Sequence, residues 1–396
     1  MKENTSVLRS EYIIDGIRMD ATPEAMLEMA CERELCAPAD EAYEPIVDES
    51  VDPSPFAEVL DPECVQEYLE KVKALGKRNV PLCYSPSYTN GKIAQALLNS
   101  IWMAGHFRLG DLAVSASWDW DSRTVGSMAS LYSSVESACG YLEALGIKMA
   151  DYRVTDQGTD GGAGTMDKDT RSVDVRISLS DSPAMDEFED VSDGEDFFSE
   201  LPFRTEHPTL RHTRRCGACA TGNDRSWIIY IPFDPGTLFL GGSALSEAIG
   251  KPCGKAPAID AADYFIDCYE VVRELVEDGI VLSGETVGEG GIMAALSRIV
   301  PEKLGFEAEI GGIMKSYGEK DAVRILFSEI PGVLVEIPDE DYDYVDAELL
   351  LQDVAYYPLG HVTDRFSGIR TTTSDSSDIT QILHSLLSGP VSEGED

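Results

Sequence analysis

The chain has 396 residues, 43% of them apolar, which is enough for a large core in two or three structural units and excludes a wholly disordered chain. Acidic residues number 72 against 31 basic ones, a net charge of −41, so nucleic acid polymers and anionic lipid surfaces are poor partners. No apolar run reaches the roughly 18 residues of a membrane span. The first residues, Met1-Lys2-Glu3-Asn4-Thr5, hold no apolar signal core, and nine cysteines is an odd count, so a cytoplasmic protein with reduced thiols and no membrane partner is expected.

Residues 1–79 read as an acidic N-terminal extension or linker. Thr22-Pro23-Glu24 opens a helix whose apolar face is Ala25, Met26, Met29 and Ala30. Prolines among acids at 37–62 predict a linker, and Pro62–Leu75 a short helix stopped by Gly76. Residues 80–180 read as a first α/β unit. Its predicted elements are a helix over Lys92–Ala104 with Ile93, Ala96, Leu97, Ser100 and Ile101 inward, a strand over Asp111–Trp118, a helix over Leu131–Leu145 stopped by Gly146, and a strand over Ser172–Leu179.

Residues 181–225 read as a charged insertion. Asp186–Glu200 holds eight acids, and a basic island follows with Arg204, Arg211, Arg214 and Arg215. The two halves either neutralise each other or form an anion clamp. Cys216-Gly217-Ala218-Cys219 is a lone CxxC, which His207 and His212 would have to complete for zinc; otherwise it is a pair of thiols in a loop. Residues 226–370 read as a second α/β unit. It starts with a strand over Trp227–Ile231. A helix follows over Ala261–Asp278, capped by Asp260 and striped with Ala262, Phe265, Ile266, Tyr269, Val272, Leu275 and Val276. Gly279 ends that helix, Gly332–Ile337 is a strand, and Asp339–Glu348 an acidic turn or solvated helix start. The Ser-, Thr- and Asp-rich tail at 371–396 is expected to fray.

The richest signals are Leu240-Gly241-Gly242-Ser243-Ala244-Leu245 and the stretch from Leu282 through Gly284, Gly288, Gly290 and Gly291 to Ile292. Each feeds a helix start, where free N–H groups can hold an anion. Gly91–Asn99, Leu112–Trp120, Leu131-Tyr132, Leu145-Gly146-Ile147 and Phe327–Gly332 stand in series with them. From about Pro81 to Thr363 this order resembles the aminoimidazole-ribonucleotide-synthetase-like (PurM-like) superfamily. Within it, the series is most similar to the second synthetase-like half of the phosphoribosylformylglycinamidine synthase (formylglycinamide ribonucleotide amidotransferase) family of purine biosynthesis. The resemblance implies an α/β (α+β) fold of two subdomains, with mixed sheets flanked by helices. It also implies that the first subdomain completes a barrel by pairing, in a homodimer or with another synthetase-like subunit. A site for ATP or ADP with Mg²⁺ is implied as well, and, if catalysis persists, ATP-dependent C–N ligation within a larger assembly.

The motifs also depart from that family. Gln95 stands where the family has Glu, one turn before the retained Asn99, and i,i+4 spacing puts both on one helix face. Glu285 and Glu289 stand near the family's two metal-holding acids, and Gly284 replaces a His. Tyr152-Arg153-Val154-Thr155 occupies the place of a lysine–aspartate loop, with Arg153 as the substitute cation. Gln95, Asn99, Glu285 and Glu289 are thus the metal-side candidates. Arg153, Gly241, Gly242, Ser243, Gly290 and Gly291 are the nucleotide-side candidates, although the glycines also serve simply as tight turns. The Gly158–Gly164 run reads as a plain loop. No glutaminase segment is recognisable, since Cys139 and Cys268 sit in helix patterns. These departures favour a structural or weakened nucleotide site. The alternatives are a non-catalytic scaffold that pairs with a catalytic partner, and an active enzyme on another small substrate using the Glu pair.

Overall fold

Alternation of apolar with small polar residues builds the central strand of the first sheet, and continuous apolar runs build two inner strands of the second. A computed structural model describes residues 6–14, 16–32, 62–75, 84–105, 108–120, 126–156, 174–181, 213–222, 225–250 and 253–373. Most of the expected linker at 37–62, the Gly158–Gly164 run, Asp186–Glu200, Arg204, His207, Arg211, His212 and the tail beyond 373 lie outside the described residues.

A hairpin of β1 (Ile13–Ile14) and β2 (Ile17–Arg18) precedes α1 (Pro23–Glu32) and α2 (Pro62–Ala74). Met26 and Leu27 of α1 are buried, while Ala25 and Met29 are only half-buried, so the inward face is turned by one residue from the expected stripe. The first unit then runs through α3 (Ser85–Ile101), β3 (Leu112–Trp120), α4 (Ser127–Ala144), β4 (Lys148–Asp156) and β5 (Asp174–Asp181). Helix α3 starts well before Lys92 because its polar first turns are satisfied. Thr89 hydrogen-bonds the Ser134 hydroxyl, and the Asn90 amide donates to Ile259 O. The sheet order is β4-β3-β5, with β4 parallel and β5 antiparallel to β3. Strand β4 was not expected, and Tyr152–Thr155 lies inside it rather than in a loop.

The second unit comprises β6 (Ser226–Pro232), α5 (Ala244–Ala248), α6 (Ala262–Glu277), β7 (Ser283–Val287), α7 (Gly291–Ile299), β8 (Gly305–Glu309), α8 (Gly311–Tyr317), α9 (Ala322–Phe327), β9 (Gly332–Pro338), α10 (Tyr342–Leu351), β10 (Tyr357–Thr363) and β11 (Gly368–Thr372). Its sheet order is β11-β8-β10-β6-β9-β7, parallel only between β11 and β8. Both faces are covered, which is why β6 and β9 are nearly all apolar. Ile229 and Ile231 join a core with α3, α4 and α6; Ile228 and Tyr230 join a second core with α7 and α9. The described helices before residue 80 pack on these units. Helix α1 packs on α4 and β4, and α2 on α5 and α7.

One local expectation needs correction. The N-cap of α6 is Ala261, and the buried carboxylate of Asp234, reaching over from the end of β6, accepts from the N–H groups of Gly236, Asp260 and Ala261. Burial pushes the Asp234 pKa up, against those three hydrogen bonds. The described part of the basic island donates to backbone carbonyls. Arg214 donates to Gly217 O and Gly284 O, and Arg215 to Glu277 O. Among the described residues no helix is long and apolar enough to cross a membrane.

Candidate functional site

The two glycine turns and α3 meet at one open cleft with about 480 Å³ of empty space. One turn, Gly241-Gly242, enters α5; the other, Gly288-Glu289-Gly290, leaves β7 and enters α7. Gly290, the N-cap of α7, has φ +78°, a conformation that favours glycine. The opposite wall is a strap at 253–261, pinned by the Tyr84 hydroxyl donating to Gly254 O and by Gly241 N–H donating to Lys255 O (2.8 Å). Tyr84, Tyr88, Pro257 and Ile259 give the cleft an apolar side.

Its polar side is largely neutralised from within. Glu329, half-buried, accepts through Oε1 from Ala244 N–H (2.7 Å) at the start of α5 and from Gly290 N–H (2.8 Å) at the start of α7. The protein's own carboxylate therefore sits at the convergence of both helix entries. The Ser243 hydroxyl caps α5 by accepting from Ser246 N–H. Glu289 Oε1 lies 2.5 Å from Lys92 Nζ, which stands 5.1 Å from the centre of the Tyr88 ring. Burial acts to lower the Lys92 pKa, but Tyr88 and Glu289 outweigh it and hold it above the ordinary lysine value, so the ammonium stays charged.

The expected site residues divide into two groups. Gln95, Gly241, Gly242, Ser243 and Glu289 line the cleft, and Gly290 donates to the carboxylate on its floor. Asn99 is exposed farther along α3 and does not line the cleft. Glu285 pairs with Arg298 at 2.5 Å and lies outside the cleft. Gly291 is buried, with φ +65°, against the end of α9. Arg153 is exposed on β4, opposite Ser117, and also lies outside the cleft.

The glycine at 284 has a steric cause. A Cβ there would fall 2.2 Å from the Trp102 ring, so the indole fills the space where a side chain would stand. Trp102 Nε1–H donates to Thr286 Oγ1 (2.9 Å), and the Arg214 guanidinium stacks over the ring. Of the CxxC pair, Cys216 is half-buried and Cys219 exposed. No group of three or more His, Cys, Asp or Glu side chains converges among the described residues.

Sequence reasoning passed over Lys92, Tyr84, Tyr88 and Glu329. Lys92 was detectable, since it stands one turn before Gln95 and shares its helix face. Glu329 lay inside the Phe327–Gly332 motif, but its role needs the turn at Gly290 beside it.

Residues 235–371 match the family described as AIR synthase related protein, C-terminal domain. Over 278 residues, 70% of this chain, the sequence is 23% identical to phosphoribosylformylglycinamidine synthase of Homo sapiens. It is 22% identical over 273 residues, 69% of this chain, to a probable phosphoribosylformylglycinamidine synthase of Arabidopsis thaliana. The matched stretch spans 18% and 17% of those relatives. A solved structure of phosphoribosylformylglycinamidine synthase II from Thermotoga maritima aligns with a TM-score of 0.46 at 11% identity, covering 78% of this chain and 47% of that one. The similarity is thus to a synthetase-like part of a purine-biosynthesis enzyme, carried on mixed sheets flanked by helices.

Proposed function

We propose that this chain is a single synthetase-like half, related to phosphoribosylformylglycinamidine synthase, whose cleft is a weakened ATP or ADP site kept mainly for structure. The observation that carries this reading is the placement of Glu329. The glycine turns and α3 converge as a nucleotide site needs, yet the two N–H groups best placed for phosphate already hold a carboxylate. Any ATP-dependent C–N ligation belongs to a larger assembly that supplies the missing cation–carboxylate loop. Of the residues expected to hold Mg²⁺, Gln95 and Glu289 are the two at the cleft.

Pairing with a second copy or another synthetase-like subunit is part of the proposal, as is a cytoplasmic location. The outer face of the three-stranded sheet, with Ser115, Ser117 and Ser178 among Arg153, Arg176 and Asp119, offers both short and charged side chains to a partner. The Glu329 contacts also favour the alternative of a scaffold that binds no nucleotide.

Calorimetric titration with ATP and ADP tests the reading. Weak binding that vanishes when Ser87→Trp fills the cleft supports it. Absence of heat at millimolar nucleotide leaves the scaffold.

A further inference from the structure

We infer that Lys92 takes the place of a divalent ion in this cleft, engaging Glu289 and presenting the positive charge to a polyphosphate ligand that binds without metal. The inference rests on the nucleotide-site reading and adds how the phosphates are neutralised.

The donor set is the starting point. A site for Mg²⁺ or Mn²⁺ needs several hard oxygen ligands, with carboxylates dominating the affinity. Of the four residues expected on the metal side, Glu285 is tied to Arg298 outside the cleft and Asn99 is exposed beyond it. Gln95 offers a neutral amide packed against Gly288; a Cβ there would lie 2.8 Å from Gln95 Nε2. That leaves Glu289, and its Oε1 already meets an ammonium at 2.5 Å. The other cleft carboxylate, Glu329, is committed through Oε1 to two backbone N–H groups. A divalent ion binding Glu289 through Oε1 would have to displace the Lys92 ammonium.

Lys92 is also built to present a charge. Its ammonium lies over the Tyr88 ring, among the residues that line the cleft, and beside the turn that enters α7 through its pair with Glu289. The pair is partly exposed, with side chains 25% and 37% accessible. Such pairs contribute little net stability, so an incoming phosphate can replace Glu289 on the ammonium at small cost. A lysine ammonium is a compact point charge with three donors, adequate for phosphate oxygens.

The test is calorimetry on the full chain with ADP and with inorganic pyrophosphate, each in Mg²⁺ and in EDTA. It is accompanied by Mn²⁺ titration followed by electron paramagnetic resonance. The expected result is ADP affinity that is the same in both buffers and falls about tenfold or more in Lys92→Met. Lys92→Arg should retain most of it, and thermal melting checks that each variant folds. Mn²⁺ binding should be identical in wild type and Glu289→Gln. ADP binding that requires Mg²⁺ and survives Lys92→Met overturns the inference while leaving the nucleotide reading intact. Loss of a Mn²⁺ site in Glu289→Gln also overturns it, without reference to nucleotide. Metal-free, Lys92-dependent binding of pyrophosphate with none of ADP keeps the inference and sinks the nucleotide reading. Binding of neither ligand sinks both.

Discussion

The two ends of β7 handle carboxylates in opposite ways. At its start, the Ser283 hydroxyl donates to Glu336, which is fully buried and also accepts from Thr221 N–H, the Thr221 hydroxyl and the Ser226 hydroxyl. At its end, Glu289 faces a partly exposed lysine across a cleft. The first carboxylate is buried and held by neutral donors, among them the buried hydroxyls of Ser226 and Ser283. The second is held by one ion pair that solvent and ligands can exchange. Between them the buried Trp102 ring covers Gly284 and seals that point of the strand. Buried polar groups here define the fold, and only those beyond the seal remain available for binding.

The sharpest way to break this contrast is Glu336→Ala. It strands the hydroxyls of Ser226 and Ser283 in the interior, and we expect a loss of about 3 kcal/mol or more by denaturant unfolding. A loss below about 1 kcal/mol would show that the interior centre is no more demanding than the cleft. Next in size is Gly284→His, which drives a side chain into Trp102; about 1–3 kcal/mol of destabilisation is expected. Unchanged stability would mean that the indole moves aside and the seal is soft.

Glu329→Ala removes the acceptor shared by the entries of α5 and α7. It should cost about 1 kcal/mol, as lost caps do, while raising affinity for ADP. Lower ADP affinity would instead make Glu329 part of the binding site.

A pH comparison addresses Asp234. Burial raises its folded pKa above the unfolded value, so its contribution to stability is greatest in acid and declines as pH rises from about 4 through the folded pKa. Asp234→Asn should flatten that decline in melting curves measured from acid to neutral pH. An unaltered slope would assign the dependence to other carboxylates. The smallest effect belongs to Glu285→Gln. Its pair with Arg298 is partly exposed, and stability should change by at most about 0.5 kcal/mol with no change in ADP affinity. A large affinity loss there would return Glu285 to the binding site.

Local signals foretold much of this. The stripe from Ala262 to Val276 became α6, the alternation near Trp118 became β3, and both glycine turns lead into helices as expected. Strand β4 was not foreseen because Lys148-Met149-Ala150-Asp151 does not alternate cleanly. A bulge at Ala150 shifts the register there, with Val114 of the partner strand opposite Met149 and Ser115 opposite Asp151. Arg153 therefore went to a sheet face instead of the cleft.

By itself the sequence determined several of the element types, the two glycine turns and the similarity to a synthetase-like half, because these rest on periodicity, on backbone freedom and on the order of motifs. Tertiary structure alone decided which charges meet. Lys92 and Glu289 are 197 positions apart, and Glu329 and Ala244 are 85 apart. Ion pairing depends on distances of a few ångströms; only the folding of α3 against the second unit brings Lys92 to Glu289, and packing within that unit brings Glu329 to Ala244.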